Sequence, residues 1–280
     1  MKKTILILSI LFICQSIHSQ NIIFFLSKKN FISSEIVLHN GQTLTGFIKD
    51  FTLPHTIEVR GFAYDFSPIE SKLNLDRTTF KFKKEMSGSV ENLNLADIQS
   101  IKLMAEDTIK FEKLKLKTIN SSLEVVNLER EAMIPIITEN KINLYGLKVN
   151  ECSYGCRPLF VIAYIKKPND EFAFIPLDFN RINIFNLGTA NDKFFKAFEE
   201  VGKDCPEFME YMQKSRVLFD NKSSTNDMKN EYYRFEKEKK KKLSQIKNRR
   251  ERGKMSEKLD VENFLKIYYQ LITEYSIRCK

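Results

Sequence analysis

At Gly188 the chain changes its hydrophobic period, and this change constrains the fold more than any other feature of its 280 residues. Before it, short apolar runs alternate with polar residues, as they do along half-buried strands. After it, Phe194, Phe198 and Val201 return at about 3.6 residues and share one helical face. A run of strands followed by a run of helices makes the class α+β. A β-rich barrel-like or sandwich-like domain is expected over residues 20–187, followed by a helical segment over 188–280. With 42% hydrophobic residues, 23 Phe and 10 Tyr, the chain has ample core material without any Trp. Its 9 Gly and 7 Pro exclude a collagenous or low-complexity chain.

Within the β-rich part, Glu35–Leu38 and Gln42–Phe51 read as a hairpin around His39-Asn40-Gly41, because Asn-Gly readily takes the positive φ values of a type I′ turn. Further strands are expected over Ile57–Phe62, Thr78–Lys83, Thr108–Lys117, Leu123–Leu128, Met133–Thr138, Ile142–Val149, Leu159–Lys166 and Phe172–Pro176. Leu95–Leu103 is expected to hold a single helical turn.

In the helical part, Asp204-Cys205-Pro206-Glu207 reads as a helix start, with Asp204 capping, Pro206 in the first turn and Glu207 completing a capping box. Phe208, Met212 and Phe219 lie on its buried side. Asn221–Asp227 is a polar linker. Glu231–Arg252, within a basic stretch of about 229–253, is a highly charged helix that breaks near Gly253. Ser256 caps a last helix with the apolar stripe Phe264, Tyr268, Leu271 and Tyr275.

The first nineteen residues follow the plan of a secretory signal peptide. Lys2 and Lys3 precede the apolar run Thr4–Cys14, a polar Gln15–Ser19 follows, and Gln20 is the expected mature start, with Ser16 marking an alternative cut. A retained anchor would have to carry Gln15, Ser16, His18, Ser19, Gln20 and Asn21 into hydrocarbon, so no transmembrane segment is expected after signal removal. Ile13 ahead of Cys14 argues against lipidation. Export leaves four cysteines, Cys152, Cys156, Cys205 and Cys279, in an oxidising compartment, and three pairings are open. Cys152 and Cys156 bracket a tight loop containing Gly155, so a local bridge is easy. Cys205 and Cys279 would then form the second pair. A four-thiolate zinc site is the rival, but tight Cys-x-x-Cys pairs are missing; no metal and no cofactor is expected.

Catalytic signatures are sparse. His39 sits beside a turn and His55 follows Pro54 in a loop, and a structural role suffices for both. The nucleophile-elbow, zinc-protease, phosphate-loop and dinucleotide patterns are missing. The charge is more telling: the net +9 falls to +7 without Lys2 and Lys3, and residues 229–260, with thirteen basic and six acidic side chains, carry that same +7. Lys239, Lys240, Lys241, Lys242, Lys247, Arg249, Arg250 and Arg252 are the candidate polyanion-binding residues. The interleaved acids Glu231, Glu236, Glu238 and Glu251 favour the plainer reading, an ordinary solvated helix.

Two resemblances follow. Residues 36–48, IVLHNGQTLTGFI, are similar to the strand–turn–strand of Sm-like RNA-binding barrels, which implies barrel geometry. Asn40-Gly41 with Gly46-Phe47-Ile48, Ile142-Asn-Leu-Tyr145, Ala163-Tyr-Ile-Lys166, Asp204-Cys205-Pro206 and Cys279 resemble uncharacterised exported envelope modules of Bacteroidetes-type bacteria. The resemblance implies a periplasmic or cell-surface location in a Gram-negative bacterium and carries no activity and no catalytic residues. A non-enzymatic interaction module is therefore expected. Its partner would be an envelope protein or an acidic glycan rather than cytoplasmic nucleic acid. The alternative from another class is a hydrolase of an envelope polymer, which would need carboxylates converging in a deep pocket.

Overall fold

The computed structural model describes residues 23–24, 31–49, 56–59, 79–104, 108–152, 156–178, 190–222 and 225–279. The expected signal peptide, His55, residues 60–62 and the period change at Gly188 lie outside them. The described chain is α+β, with twelve strands followed by five helices.

Five consecutive strands close a barrel: β8 (Thr108–Ile119), β9 (Val125–Thr138), β10 (Asn143–Cys152), β11 (Cys156–Lys166) and β12 (Phe172–Ile175). Four of the five pairings are antiparallel, and β12 closes onto β8 in parallel, Phe172 opposite Lys115. An odd number of up-and-down strands cannot close without one parallel pair. Along β10 and β11 the side-chain period of two sends residues to two different cores. Tyr145, Leu147, Ile162 and Tyr164 fill the barrel, whereas Leu144, Val161, Ala163 and Ile165 face the helices.

One edge of β8 is shared between two partners. Its Lys115–Thr118 half takes β12, and its Thr108–Glu112 half takes β7 (Ile98–Met104). The sheet continues from β7 through β2 (Ile32–Leu38), β3 (Thr43–Lys49) and β5 (Thr79–Lys83) to β6 (Glu91–Asn94). This wing has its own core of Ile36, Ile48, Phe80, Phe82, Leu95, Ile98, Ile101 and Phe111. On the other side, β4 (Thr56–Val59) pairs in parallel with β10 and carries β1 (Ile23–Phe24).

Several expectations need correcting. The first hairpin turns through three residues. Only Gly41 has a positive φ, 82°, while Asn40 does not, so the turn is the glycine-bulge kind rather than type I′. Leu123–Leu128 and Met133–Thr138 are not separate: one strand, β9, runs from Val125 to Thr138. Glu129, at φ 50°, absorbs a bulge where the pairing with β8 skips between Lys115 and Lys117. The helical turn in Leu95–Leu103 is a 3-10 turn over Leu95–Asp97, and the strand β7 takes the remainder because Ile98, Ile101 and Leu103 have a core to bury in.

The helices are α1 (Ala190–Gly202), α2 (Pro206–Lys222), α3 (Thr225–Ser244), α4 (Arg249–Phe264) and α5 (Lys266–Arg278). α1, α2 and α5 cover the barrel with Phe194, Phe198, Val201, Phe208, Met212, Tyr268, Leu271 and Tyr275. α2 begins at Pro206, so Asp204 stands outside it; its carboxylate meets Lys167 at 3.0 Å and the Tyr275 hydroxyl at 3.3 Å instead of capping. The expected linker at 221–227 is largely helix, because α2 reaches Lys222 and α3 starts at Thr225; polar residues suit helix ends as well as loops.

The basic helix is two helices. It breaks at residues 245–248, where the Asn248 side chain accepts from the Arg250 and Glu251 amides at 2.8 and 3.3 Å and starts α4. Gly253 lies inside α4 with open space around it, so nothing there forces a break. Ser256 also lies within α4, and the last helix starts at Lys266, after Leu265.

Candidate functional site

The α3–α4 hairpin gathers the charge. Lys239 of α3 reaches Asp260 of α4 at 2.5 Å, and Lys266, the first residue of α5, reaches Glu231 of α3 at 2.5 Å, so α3 and α4 run antiparallel and α4 returns to the body. There Glu257 meets Lys148 of β10 at 3.1 Å, and Phe264 packs on Phe160 of β11 with ring centroids 6.4 Å apart. At the other end the chain reverses at residues 245–248. Lys240, Lys241, Lys242, Lys247, Arg249, Arg250 and Arg252 are all exposed around this reversal. Lys239 is not part of that surface, because Asp260 holds it partly buried. Arg252 is engaged as well, donating from Nε and Nη2 to the Ile246 carbonyl at 3.0 and 2.8 Å, which fixes the turn.

The placement of the acids separates an interacting tip from a merely solvated helix. Residues 240–254 hold eight basic side chains against one acid, Glu251. Glu231, Glu236 and Glu238 stand towards the base of α3, and Glu257, Asp260 and Glu262 towards the base of α4. The interleaving visible in the sequence therefore becomes a gradient: balanced at the base, cationic at the tip. Arg249 and Arg250 also oppose the dipole of α4, whose N-terminus favours anions.

A groove of about 700 Å³ between α3 and α4 is lined by Glu231, Glu238, Glu262, Arg234, Lys242 and Lys266, with Phe235 and Leu259 at its floor. Three carboxylates face three cations, so it is charge-balanced and lacks an isolated acid pair of the kind a glycosidase uses.

A second charged constellation lies at the barrel end. Glu112 of β8 accepts from Lys166 of β11 at 2.5 Å and from the Tyr145 hydroxyl of β10 at 2.7 Å; Asn143 donates to that hydroxyl at 3.3 Å. Tyr145 is fully buried, and the Lys166 side chain is 8% exposed. Burial first, and then the hydrogen bond to Glu112, hold the phenol well above the usual tyrosine range. Each group satisfies another, which makes this a structural plug in the barrel.

Cys205 and Cys279 are joined with an S–S distance of 2.10 Å and Cα atoms 5.7 Å apart, linking the start of α2 to the end of α5. The backbones of Cys152 and Cys156 oppose each other across the β10–β11 hairpin, and their side chains lie outside the described residues. Among the described residues no cluster of His, Cys, Asp and Glu could hold a metal ion, and no helix is long and apolar enough to cross a membrane. His39 is exposed at its turn. Compared with protein-family models, curated proteins and solved structures, the chain matches none.

Proposed function

We propose that this protein is an exported, non-enzymatic interaction module of the bacterial cell envelope that holds a polyanion through its α3–α4 hairpin. The observation that carries this reading is the separation of charge along the hairpin, cationic at the tip and balanced at the base. Such an arrangement raises the local anion concentration and steers encounter. The signal-peptide layout of residues 1–19 supports export, and a link between Cys205 and Cys279 suits an oxidising compartment.

Retention on an immobilised polyanion such as heparin, eluted with salt, tests the binding. Retention should weaken steeply with ionic strength, and reversing Lys240, Lys241, Lys242 and Lys247 to Glu should abolish it. Equal retention of the reversed variant would refute the reading. Export is tested separately by N-terminal sequencing of envelope-associated protein, which should begin at or near Gln20; an intact Met1 would rule out cleavage.

A further inference from the structure

We infer that the polyanion is the anionic headgroup layer of a phospholipid bilayer, and that the hairpin meets it tip first. This deepens the polyanion reading and rests on it. Three features of the tip favour a planar surface. It is the convex end of two antiparallel helices, so it has no concavity for a small ligand. Its cations surround the reversal at residues 245–248 instead of lining one long face, as a nucleic-acid strand would require. Two apolar side chains, Leu243 and Ile246, stand at the apex; both are half-buried, and neither belongs to any of the three cores. An apolar apex inside a cationic collar matches the headgroup–acyl boundary, where apolar groups enter and lysines stay with the phosphates.

The tip is also preorganised. The two Arg252 hydrogen bonds hold the Ile246 carbonyl, the Asn248 side chain caps α4, and Ser244 Oγ donates to the Lys241 carbonyl at 2.8 Å. Little conformational freedom remains to be lost on docking. Three of the acids at the base are engaged in pairs: Asp260 ties α4 to α3, Glu231 ties α3 to the start of α5, and Glu257 ties α4 to β10.

The test uses the full mature protein and vesicle co-sedimentation. Vesicles of phosphatidylcholine with phosphatidylglycerol should bind at low salt, and vesicles of phosphatidylcholine alone should not. Each basic residue near an anionic surface is worth about fivefold in partitioning, so reversing Lys240, Lys241, Lys242 and Lys247 should lower binding by at least several hundredfold. Because the chain has no Trp, Ile246→Trp provides a single fluorescent reporter at the apex. Its emission should shift to the blue on the anionic vesicles only. Binding of heparin or DNA without binding of vesicles would overturn the lipid inference and leave the polyanion reading standing. Failure to bind any polyanion would overturn both. Vesicle binding that leaves the reporter's emission unshifted, or binding that survives the reversal, would overturn the tip-first contact.

Discussion

Among single residues, Glu112 holds two buried partners at once. Its carboxylate neutralises the buried Lys166 and accepts from the buried Tyr145 hydroxyl. Glu112→Ala would leave a buried ammonium unpaired, a loss of about 3–5 kcal/mol, whereas Tyr145→Phe removes one hydrogen bond to a charged group and should cost about 1.5–3 kcal/mol. Replacing the pair together, Glu112→Leu with Lys166→Met, should recover most of the larger loss. Denaturant unfolding of the three variants checks the order; equal losses would mean the pair is solvated. Gly202 is a second point of strict fit, because a Cβ there would stand 2.4 Å from the Phe208 ring. Gly202→Ala should therefore destabilise by about 1–3 kcal/mol through overpacking, read as a lower unfolding midpoint.

At the level of elements, the helical layer depends on how its two ends are fastened. The Cys205–Cys279 link closes a loop with a sequence separation of 74 residues that contains α2, α3, α4 and α5. In the loop-entropy model such a closure contributes about 4 kcal/mol. Cys205→Ala with Cys279→Ala should thus lower the melting temperature by roughly 10 °C, and the two thiols should resist alkylation in unreduced, denatured wild type. Non-covalent contacts also fasten the end of α5 to the turn between β9 and β10: Lys141 donates to the Cys279 carbonyl, and Ser276 donates to Asn140 at 2.7 Å. The hairpin, by contrast, is fastened at its base, through Glu257 to Lys148 and Glu231 to Lys266, so reversing Lys240, Lys241 and Lys247, which do not line the groove, should leave the melting temperature nearly unchanged.

For the whole molecule, the pairing of Lys167 with Asp204 couples the turn after β11 to the turn between α1 and α2 and makes that coupling depend on pH. Burial works to raise the Asp204 pKa, but the hydrogen bond from Lys167 and its own backbone outweigh it and hold the carboxyl below its ordinary 3.8. Burial likewise works to lower Lys167, and Asp204 overcomes it to leave the ammonium above its ordinary 10.5. A lowered carboxyl contributes stability that is present above 3.8 and lost as pH falls through its folded value. A raised ammonium, like the raised Tyr145 phenol, contributes stability that is full below its ordinary value and lost as pH rises through the folded one. Stability should therefore form a plateau between these limits. Asp204→Asn should flatten its acid side, as measured by unfolding midpoints from pH 3 to 6, and an unchanged acid slope would assign the effect elsewhere.

What residues near one another in sequence can decide was legible beforehand. The period of two placed most strands, the period of 3.6 placed the buried faces of α1 and α5, and Asp-Cys-Pro marked the start of α2, because propensity and side-chain direction act over a few residues. The break before α4 was also within reach: Asn248 stands three residues before Glu251, the spacing of a capping box, but the long run of charges obscured it. Tertiary structure decided the rest. No local signal pairs Glu112 with Lys166, 54 residues away, or divides one edge of β8 between β7 and β12. The gradient of charge along α3 and α4 exists only once the chain folds back on itself and Lys239 and Lys266 find Asp260 and Glu231. Such contacts form because burying several faces together outweighs the entropy of closing long loops, and that balance belongs to the whole chain.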